Sequence, residues 1–403
     1  MRKGMIYFLF LLLIFTLEGT LIAQEKKIVP GVVITKDNLD EYLPELEKLL
    51  PQPAQVTYLY GLRQGWITMP VKEYEPLPLS QFTKVGLANA DKGFAVGKNN
   101  VFIGKWERGS PFPHPKTGAE LAWSIFRRRT HRDGLKWPAD FHLFTPKGKL
   151  ERSFAWVLHK RWWSGRCYYD PMPEEPGNNM RLDSKESIII TKPFDVKGFC
   201  HLRIRYEGLE KDDDVYAYLP ALRRIRRLTG SDLTDPLLGS DCIPDDFEIW
   251  RRKLNPKMTF KIGQGSFLQP IYVDDKSKPP YDPSEHYFCY QCDWVIRPMW
   301  VLTIFTNDPD YPTDKRVIWG EKDTGTFELR AGVSYDHKGR PYRATSFWLP
   351  ASFKDEWGEI YGFWGYSWLN MLNHHHTVLD LGPTSEDAPY EVFTFKGLLR
   401  SSR

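Results

Sequence analysis

Apolar positions along the chain fall into two regimes. Near the start, after the extended stretch Gly31-Val-Val-Ile-Thr35, Leu39, Tyr42, Leu43, Leu46, Leu49 and Leu50 recur at offsets of three and four. That spacing puts one apolar stripe along a helix over 36–50. Thr35 or Asp37 is placed to cap its start, and Pro51 follows its end. Pro44 lies inside the pattern and lacks the N–H that a helix interior uses, so a kink or a shortened helix is expected. Residues 52–120 read as loop, with short strands near 66–71 and 101–106. Residues 120–129 read as a short amphipathic helix ended by Arg127, Arg128 and Arg129, cations suited to a helix C-terminus.

From about 139 to 350 the period shortens. Apolar or alternating runs recur at 140–145, 153–159, 187–191, 200–206, 215–219, 222–228, 258–262, 294–306, 316–319, 326–335 and 344–349, separated by Gly, Pro, Asp and Asn. Many short strands with turn signals between them predict an antiparallel sheet. A parallel sheet needs helical crossovers of a dozen or more residues, and none is seen between these runs. Asp336-His-Lys-Gly339 is a tight turn between two of these strands. The expected fold is mainly β with a few helices. Residues 351–403 carry no pattern that places them.

Composition narrows the class. Of 403 residues, 41% are hydrophobic, which is enough to fill a core and excludes wholesale disorder. Aromatics reach 15%, as large half-buried sheet surfaces require. Fifty-five basic residues against 51 acidic leave a formal charge of +4, too little to imply a nucleic-acid partner. A mean hydropathy of −0.47 excludes a multi-span membrane protein. Arg2 and Lys3 precede an apolar run over 5–17, and Gly19, Thr20 and Ala23 follow. This is the plan of a secretory signal over 1–23, leaving 24–403 as a single large β-rich domain that works outside the cytoplasm. Five cysteines, Cys167, Cys200, Cys242, Cys289 and Cys292, leave at least one thiol unpaired and do not make a disulfide scaffold.

The stretch Asp214-Val-Tyr-Ala-Tyr-Leu-Pro-Ala-Leu-Arg-Arg-Ile-Arg-Arg-Leu228 reads as two strands around Pro220-Ala221. Period two puts Tyr216 and Tyr218 on one face, Leu222, Arg224, Arg226 and Leu228 on one side of the second strand, and Arg223, Ile225 and Arg227 on the other. Guanidinium groups on a covered face need partners, and Asp241, Asp245 and Asp246 follow closely. Two readings are open: ion pairs fixing a long loop against a sheet, or a grip on an anionic ligand group beside aromatic surface.

The run from Tyr218 to Leu228, followed by Gly239-Ser-Asp241 and Asp245-Asp-Phe247, resembles the bacterial outer-membrane lipoprotein-sorting-like proteins, in particular the family called domain of unknown function 1329. The segments 31–39, Pro111-Phe-Pro113…Gly118…Trp123 and 335–339 agree with that resemblance, which spans 31 to about 345. Ser124 stands where the family pattern has Asn, and Cys242 follows Asp241. The resemblance implies a LolA/LolB-like open half-barrel, a large curved antiparallel sheet with covering helices over an apolar concave side. It also implies a periplasmic carrier or binding protein for a hydrophobic ligand, a lipid or lipidated molecule, in outer-membrane traffic, with an envelope exporter or outer-membrane protein as partner. It implies no cofactor, no metal and no catalytic residue. Long chains bind in such a cavity through area alone, about 0.8 kcal/mol per methylene. Trp123, Tyr216, Tyr218, Arg224, Arg226, Arg227 and Asp241 are the expected ligand-binding residues.

Rival chemistry is weaker. Cys289-Tyr-Gln-Cys292 has redox spacing but sits beside a strand rather than at a helix start, and no second pair completes a zinc site. His374-His-His376 reads as an exposed loop or partner contact, since adjacent histidines rarely converge on one ion. Asp212, Asp213 and Asp214 read as a solvated hairpin end. No nucleophile elbow, zinc-protease helix or phosphate loop occurs. Abundant Trp and carboxylates keep a glycan-binding protein or glycoside hydrolase as an alternative, and a structural partner of an outer-membrane complex as another.

Overall fold

The structure, a computed structural model, describes residues 26–76, 79–129, 132–271, 292–323, 325, 327–347, 350–354, 360–363, 365–381 and 388–401. The expected signal over 1–23 and Cys289 lie outside the described residues. The chain opens with β1 (Val33–Ile34) and α1 (Leu39–Leu49), which keeps Pro44 within it. Helix α2 (Gln52–Gln64) then stands where loop was expected. Pro51 precedes it, and Gly65 ends it at φ 75°, a left-handed turn that glycine adopts without strain. Next come β2 (Met69–Lys72), α3 (Gln81–Leu87) and the small hairpin β3 (Ala95–Val96) and β4 (Phe102–Ile103). Helix α4 (Gly118–Arg127) begins in a reciprocal capping box between Thr117 and Glu120.

The sheet region follows as β5 (Gly134–Phe144), β6 (Leu150–Trp162), β7 (Leu182–Lys192), β8 (Cys200–Tyr206), β9 (Asp214–Leu219) and β10 (Arg224–Leu228). After an irregular stretch come β11 (Thr259–Ile271), β12 (Asp293–Phe305), β13 (Lys315–Glu321), β14 (Leu329–Tyr335), β15 (Pro341–Phe347), β16 (Pro350–Lys354), β17 (Ile360–Phe363), β18 (Gly365–Asn370) and β19 (His376–Leu381). A short helix, α5 (Phe395–Ser401), ends the described chain. Fifteen strands form one sheet in the order β1-β2-β12-β13-β14-β15-β18-β19-β5-β6-β7-β8-β9-β10, with β11 also on β12. Pairing is antiparallel except between β2 and β12, where Val71 lies opposite Trp294 in parallel. The sheet is the large antiparallel one expected, with this one two-residue parallel contact added. The contact is possible because β2 arrives from a distant N-terminal connection.

The segment 351–403, which no pattern placed, supplies the middle of the sheet. Strands β18 and β19 join β15 to β5, uniting the two halves of the strand order. The sheet is open: among the described residues its ends, β1 and β10, do not pair.

Curvature follows from the packing. Laid flat, β12 and β7 would stand about 40 Å apart, eight strand spacings. Yet Leu302 and Ile304 of β12, Ile318 of β13, Phe141 of β5, Trp156 of β6, Ile188 and Ile190 of β7, and Trp368 of β18 share one apolar cluster. Their common face is therefore the inside of an open half-barrel. The outside carries separate clusters. Helices α1 and α2 cover one around Trp294, Leu268 and Phe144. Ala388, Phe393 and Leu398 cover another around Cys200 and Leu202. On the inside, Leu121, Trp123 and Ile125 of α4 cover part of the surface. The irregular stretch between β10 and β11 fills much of the rest with Cys242, Phe247, Ile249, Trp250 and Leu254.

Candidate functional site

The inner face is apolar at one end and charged along the middle. Phe141 stacks on Trp156 at 5.2 Å, and Tyr366 on Trp368 at 5.6 Å. Phe247 lies across Tyr366 and Trp368 at 5.9 and 6.3 Å, closing this aromatic panel from above. Beside it the alternation that put Ile188 and Ile190 inward also puts Glu186, Arg203 and Arg205 inward, and all are buried.

Those charges hold the segment 240–251 down. The Asp241 carboxylate accepts from Thr377 Oγ1 at 2.9 Å and meets His375 Nδ1 at 2.6 Å. Arg203 donates to the Pro244 carbonyl at 3.1 Å. Tyr311 donates to Asp245 at 3.0 Å. Asp246 takes both Arg316 and Arg343, the latter at 2.8 Å. Glu248 accepts from Lys160 at 2.8 Å and from Arg251 at 2.9 Å. Arg251 also reaches Glu186 at 3.2 Å. Burial pushes Lys160 down to about 7 and holds Asp241 and Asp245 above the usual carboxylate range. Strands β6, β7, β8, β13, β15 and β19 thus all grip one 12-residue plug.

The preceding residues, 229–239, are held differently. They form two short 3-10 turns, and Leu238 sits at φ 51°, a left-handed backbone that costs a non-glycine residue of order 1 kcal/mol. The ion pair here is an exposed one, Asp232 with Arg226 at 2.9 Å. This flap borders two cavities. Leu237 and Leu238 close an apolar pocket of about 20 Å³ over Phe154, Ile188, Ile190, Phe199 and Phe247. Thr229, Leu233 and Thr234 border a cleft of about 540 Å³ whose other walls carry Arg203, Arg252, Lys253, Asp212, Asp245 and Asp308. The apolar pocket has two polar lining groups, Ser240, whose hydroxyl donates to the Cys242 carbonyl at 3.4 Å, and His201. His201 is buried, and both ring nitrogens are without a hydrogen-bond partner among the described residues. Burial and the neighbouring Arg203 lower it to about 4, so the ring is neutral.

The seven residues expected to form a site do not come together. Trp123 is buried in α4 and donates to the Asn100 carbonyl at 2.9 Å. Tyr216 and Tyr218 pack on the outer cluster, with Tyr216 edge-on to Phe395 at 4.9 Å. Their strand register explains this, since Val215 and Ala217 take the inward positions. Arg224 and Arg226 are exposed on the edge strand. Arg227 pairs with Asp214 at 2.5 Å and borders the polar cleft. Asp241 anchors the plug. Asp241, Asp245 and Asp246 therefore do not serve the Arg223–Arg227 run. The plug carries them across to other strands, whose arginines they meet. Arg127, Arg128 and Arg129 are likewise not helix-end decoration. All three are buried, on Asp183, the Glu248 carbonyl and the Ser164 carbonyl.

Other motifs resolve locally. His374 is exposed at φ 61°, His375 pairs with Asp241, and His376 is buried at the start of β19, so the three side chains diverge. Asp213 is not solvated: it pairs with Arg205 at 2.8 Å. Cys167, Cys200, Cys242 and Cys292 are buried and free. Sequence reasoning missed Lys160, Glu186, His201 and Glu248. Glu186 sits two residues from Ile188 and His201 two residues from Phe199, and that shared phase was the available signal.

A family model described as "Protein of unknown function (DUF1329)" matches residues 33–391. No curated protein matches the chain. Among solved structures, a DUF1329 family protein from Desulfovibrio piger is 18% identical with a TM-score of 0.49, the match covering 70% of this chain and 97% of that one. An outer membrane lipoprotein-sorting protein domain from Vibrio parahaemolyticus is 17% identical at 0.48, covering 72% and 99%. A LolA superfamily protein from Nitrosomonas europaea is 15% identical at 0.40, covering 70% and 98%.

Proposed function

The chain belongs to the DUF1329 family, whose function is not established, and we propose that it is a non-enzymatic binding protein for an amphiphile, a lipid or lipidated molecule, in the cell envelope. The apolar chain enters beneath the flap 229–239, and the polar end takes the adjoining cleft. One observation carries this reading. The flap is a shared wall of an apolar pocket and a charged cleft; among the described residues its ion pair is the exposed Asp232–Arg226, and two backbone hydrogen bonds tie it to residues 240–251, Leu237 N–H to the Cys242 carbonyl at 2.8 Å and Asp245 N–H to the Leu233 carbonyl at 3.4 Å. Gly239, at φ 80°, joins the two parts. The signal pattern over 1–23 supports export to the envelope.

The closed pocket, at about 20 Å³, has room for about one water, so binding requires the flap to lift. Exposing the half-buried Leu237 and Leu238 costs at most about 3–6 kcal/mol. Burying a chain of about ten methylenes gains about 8 kcal/mol, so uptake is favourable for long chains and not for short ones. Neutral His201 offers a hydrogen bond to a carbonyl or hydroxyl near the head of the chain. The small closed volume favours a second reading, in which the interior is simply core and the protein acts as a structural partner through its surface.

Organic extraction and mass spectrometry of the chain purified from its native envelope tests the proposal. A bound acylated species is expected, and Leu238→Trp, which overfills the pocket at a cost of about 1–3 kcal/mol in stability, should remove it while the chain stays folded. If nothing is extracted and added lipid is not taken up, the second reading stands.

A further inference from the structure

Strand register places successive hairpin turns along one rim of the half-barrel. Leu369 opposite His376, His376 opposite Phe144, Phe144 opposite Leu150, Ala155 opposite Lys192, Cys200 opposite Tyr218 and Leu219 opposite Arg224 all mark the same end. The turns 371–375, 145–149, 193–199 and 220–223 therefore follow one another there, two strand spacings or about 10 Å apart across the strands and spanning about 30 Å in that direction, with β6 overhanging the end of β7 by five residues, 150–154. Three of their tips are bare apolar side chains: Leu372 at 57% exposure, Phe194 at 94% and Leu222 at 64%. Among the described large hydrophobics Phe194 and Leu222 are the most exposed; Met180, at 61%, exceeds Leu372, and Ile103, Val101, Val29 and Tyr390, at 51–53%, come close to it.

Between these tips stand exposed cations. Lys147 and Lys149 occupy one turn, Lys192 and Lys197 flank the next, and Arg223 and Arg224 the last. The acidic group within these turns, Asp195, is already paired with Arg152. Glu151, next to the first strand start, meets His375 at 3.3 Å. The rim is therefore strongly positive although the chain as a whole carries only +4.

We propose that this rim docks on an anionic lipid bilayer, with Leu372, Phe194 and Leu222 entering the interface and the lysines and arginines meeting lipid phosphates. The spacing favours a bilayer over a protein groove. The three apolar groups stand apart on separate turns with cations between them, and a fluid lipid surface accepts isolated side chains, whereas a protein interface needs a contiguous packed core. The rim also adjoins the apolar pocket, since Phe199 closes the 193–199 turn and lines that pocket. The docking does not depend on ligand uptake.

Co-sedimentation with extruded vesicles tests it, using the exported chain and vesicles of phosphatidylglycerol with phosphatidylethanolamine, against phosphatidylcholine alone. Wild type should bind the anionic vesicles, and added salt should weaken binding. Each lysine near an anionic surface contributes about fivefold, so Lys147→Glu/Lys149→Glu/Lys197→Glu should weaken binding by at least about 100-fold. Phe194→Ser/Leu222→Ser should cost at least about tenfold. Because these side chains are exposed, melting temperatures should match wild type, and Met180→Ser should bind normally. Equal binding to neutral vesicles, no binding at all, or rim variants that bind like wild type would overturn the proposal. Variants that lose vesicle binding while still taking up ligand support the rim by itself. Lost uptake with vesicle binding intact removes the amphiphile reading and leaves the rim standing.

Discussion

Asp246→Asn probes how firmly the plug is held. The carboxylate is 1% exposed and takes two guanidinium groups, Arg316 and Arg343. Arg316 also donates to the Ile249 carbonyl at 3.0 Å, so the pair fixes backbone as well as side chain. Asn keeps the shape and removes the charge, leaving two buried cations facing a neutral amide. Breaking a buried pair this way costs about 3–5 kcal/mol. Unfolding entropy near about 2.1 cal/mol/K per residue gives about 0.8 kcal/mol/K for a chain of this length, so the melting temperature should fall by about 4–6 °C. Calorimetry and guanidinium denaturation read the loss. Replacing the whole cluster, Arg316→Met/Asp246→Leu/Arg343→Met, should recover most of it, because apolar groups need no partners. A single-variant loss under about 1 kcal/mol would refute the clamp. A triple variant as damaged as the single would show that packing, not charge, holds the plug.

Burial of neutral imidazole predicts a pH response. His201 and His376 are lowered to about 4 and about 3, against about 6.5 in the unfolded chain. A depressed histidine leaves its stability contribution intact above the unfolded value and loses it as pH falls toward the folded one, about 2 kcal/mol each by pH 5. Glu328, pushed up to about 7 by burial, acts in the opposite sense over the same range. The readout is therefore a difference: His201→Phe should gain about 2 kcal/mol relative to wild type on going from pH 7.5 to 5, and parallel denaturation curves would contradict it. Gly332 lies against the plug, where an added Cβ would meet Ile249 Cγ2 at 2.6 Å. Gly332→Ala should cost about 1–3 kcal/mol, and Ile249→Ala in the same chain should relieve much of that. Strict additivity of the two in urea melts would place the plug elsewhere.

Much of the sheet was legible because its strands alternate or run apolar between turn residues. The 336–339 turn and the helix around Leu39 and Leu46 followed from local pattern alone. Helix α2 was not read, since Pro53, Val56, Thr57 and Gly61 dilute its stripe. The proline before it and Gly65 after it were the marks to trust. Strands β18 and β19 were missed because nothing local says that a C-terminal segment inserts at the centre of a sheet. The site was harder. Tyr216 and Tyr218 have the right alternation, but alternation cannot say which face is inside until the neighbouring strands are known. The plug was unreadable for a deeper reason: its Asp246 pairs with arginines 70 and 97 residues away, Arg316 and Arg343. Only the folded sheet brings them together.

The most direct test is a calorimetric titration of the chain with single-chain amphiphiles of one head group and increasing length. If the flap lifts to admit the chain, each added methylene should strengthen binding by about 0.8 kcal/mol, close to fourfold, until the inner face is filled, and Leu238→Trp should flatten the series. Affinity that is undetectable, or that does not change with chain length, would contradict uptake on the inner face.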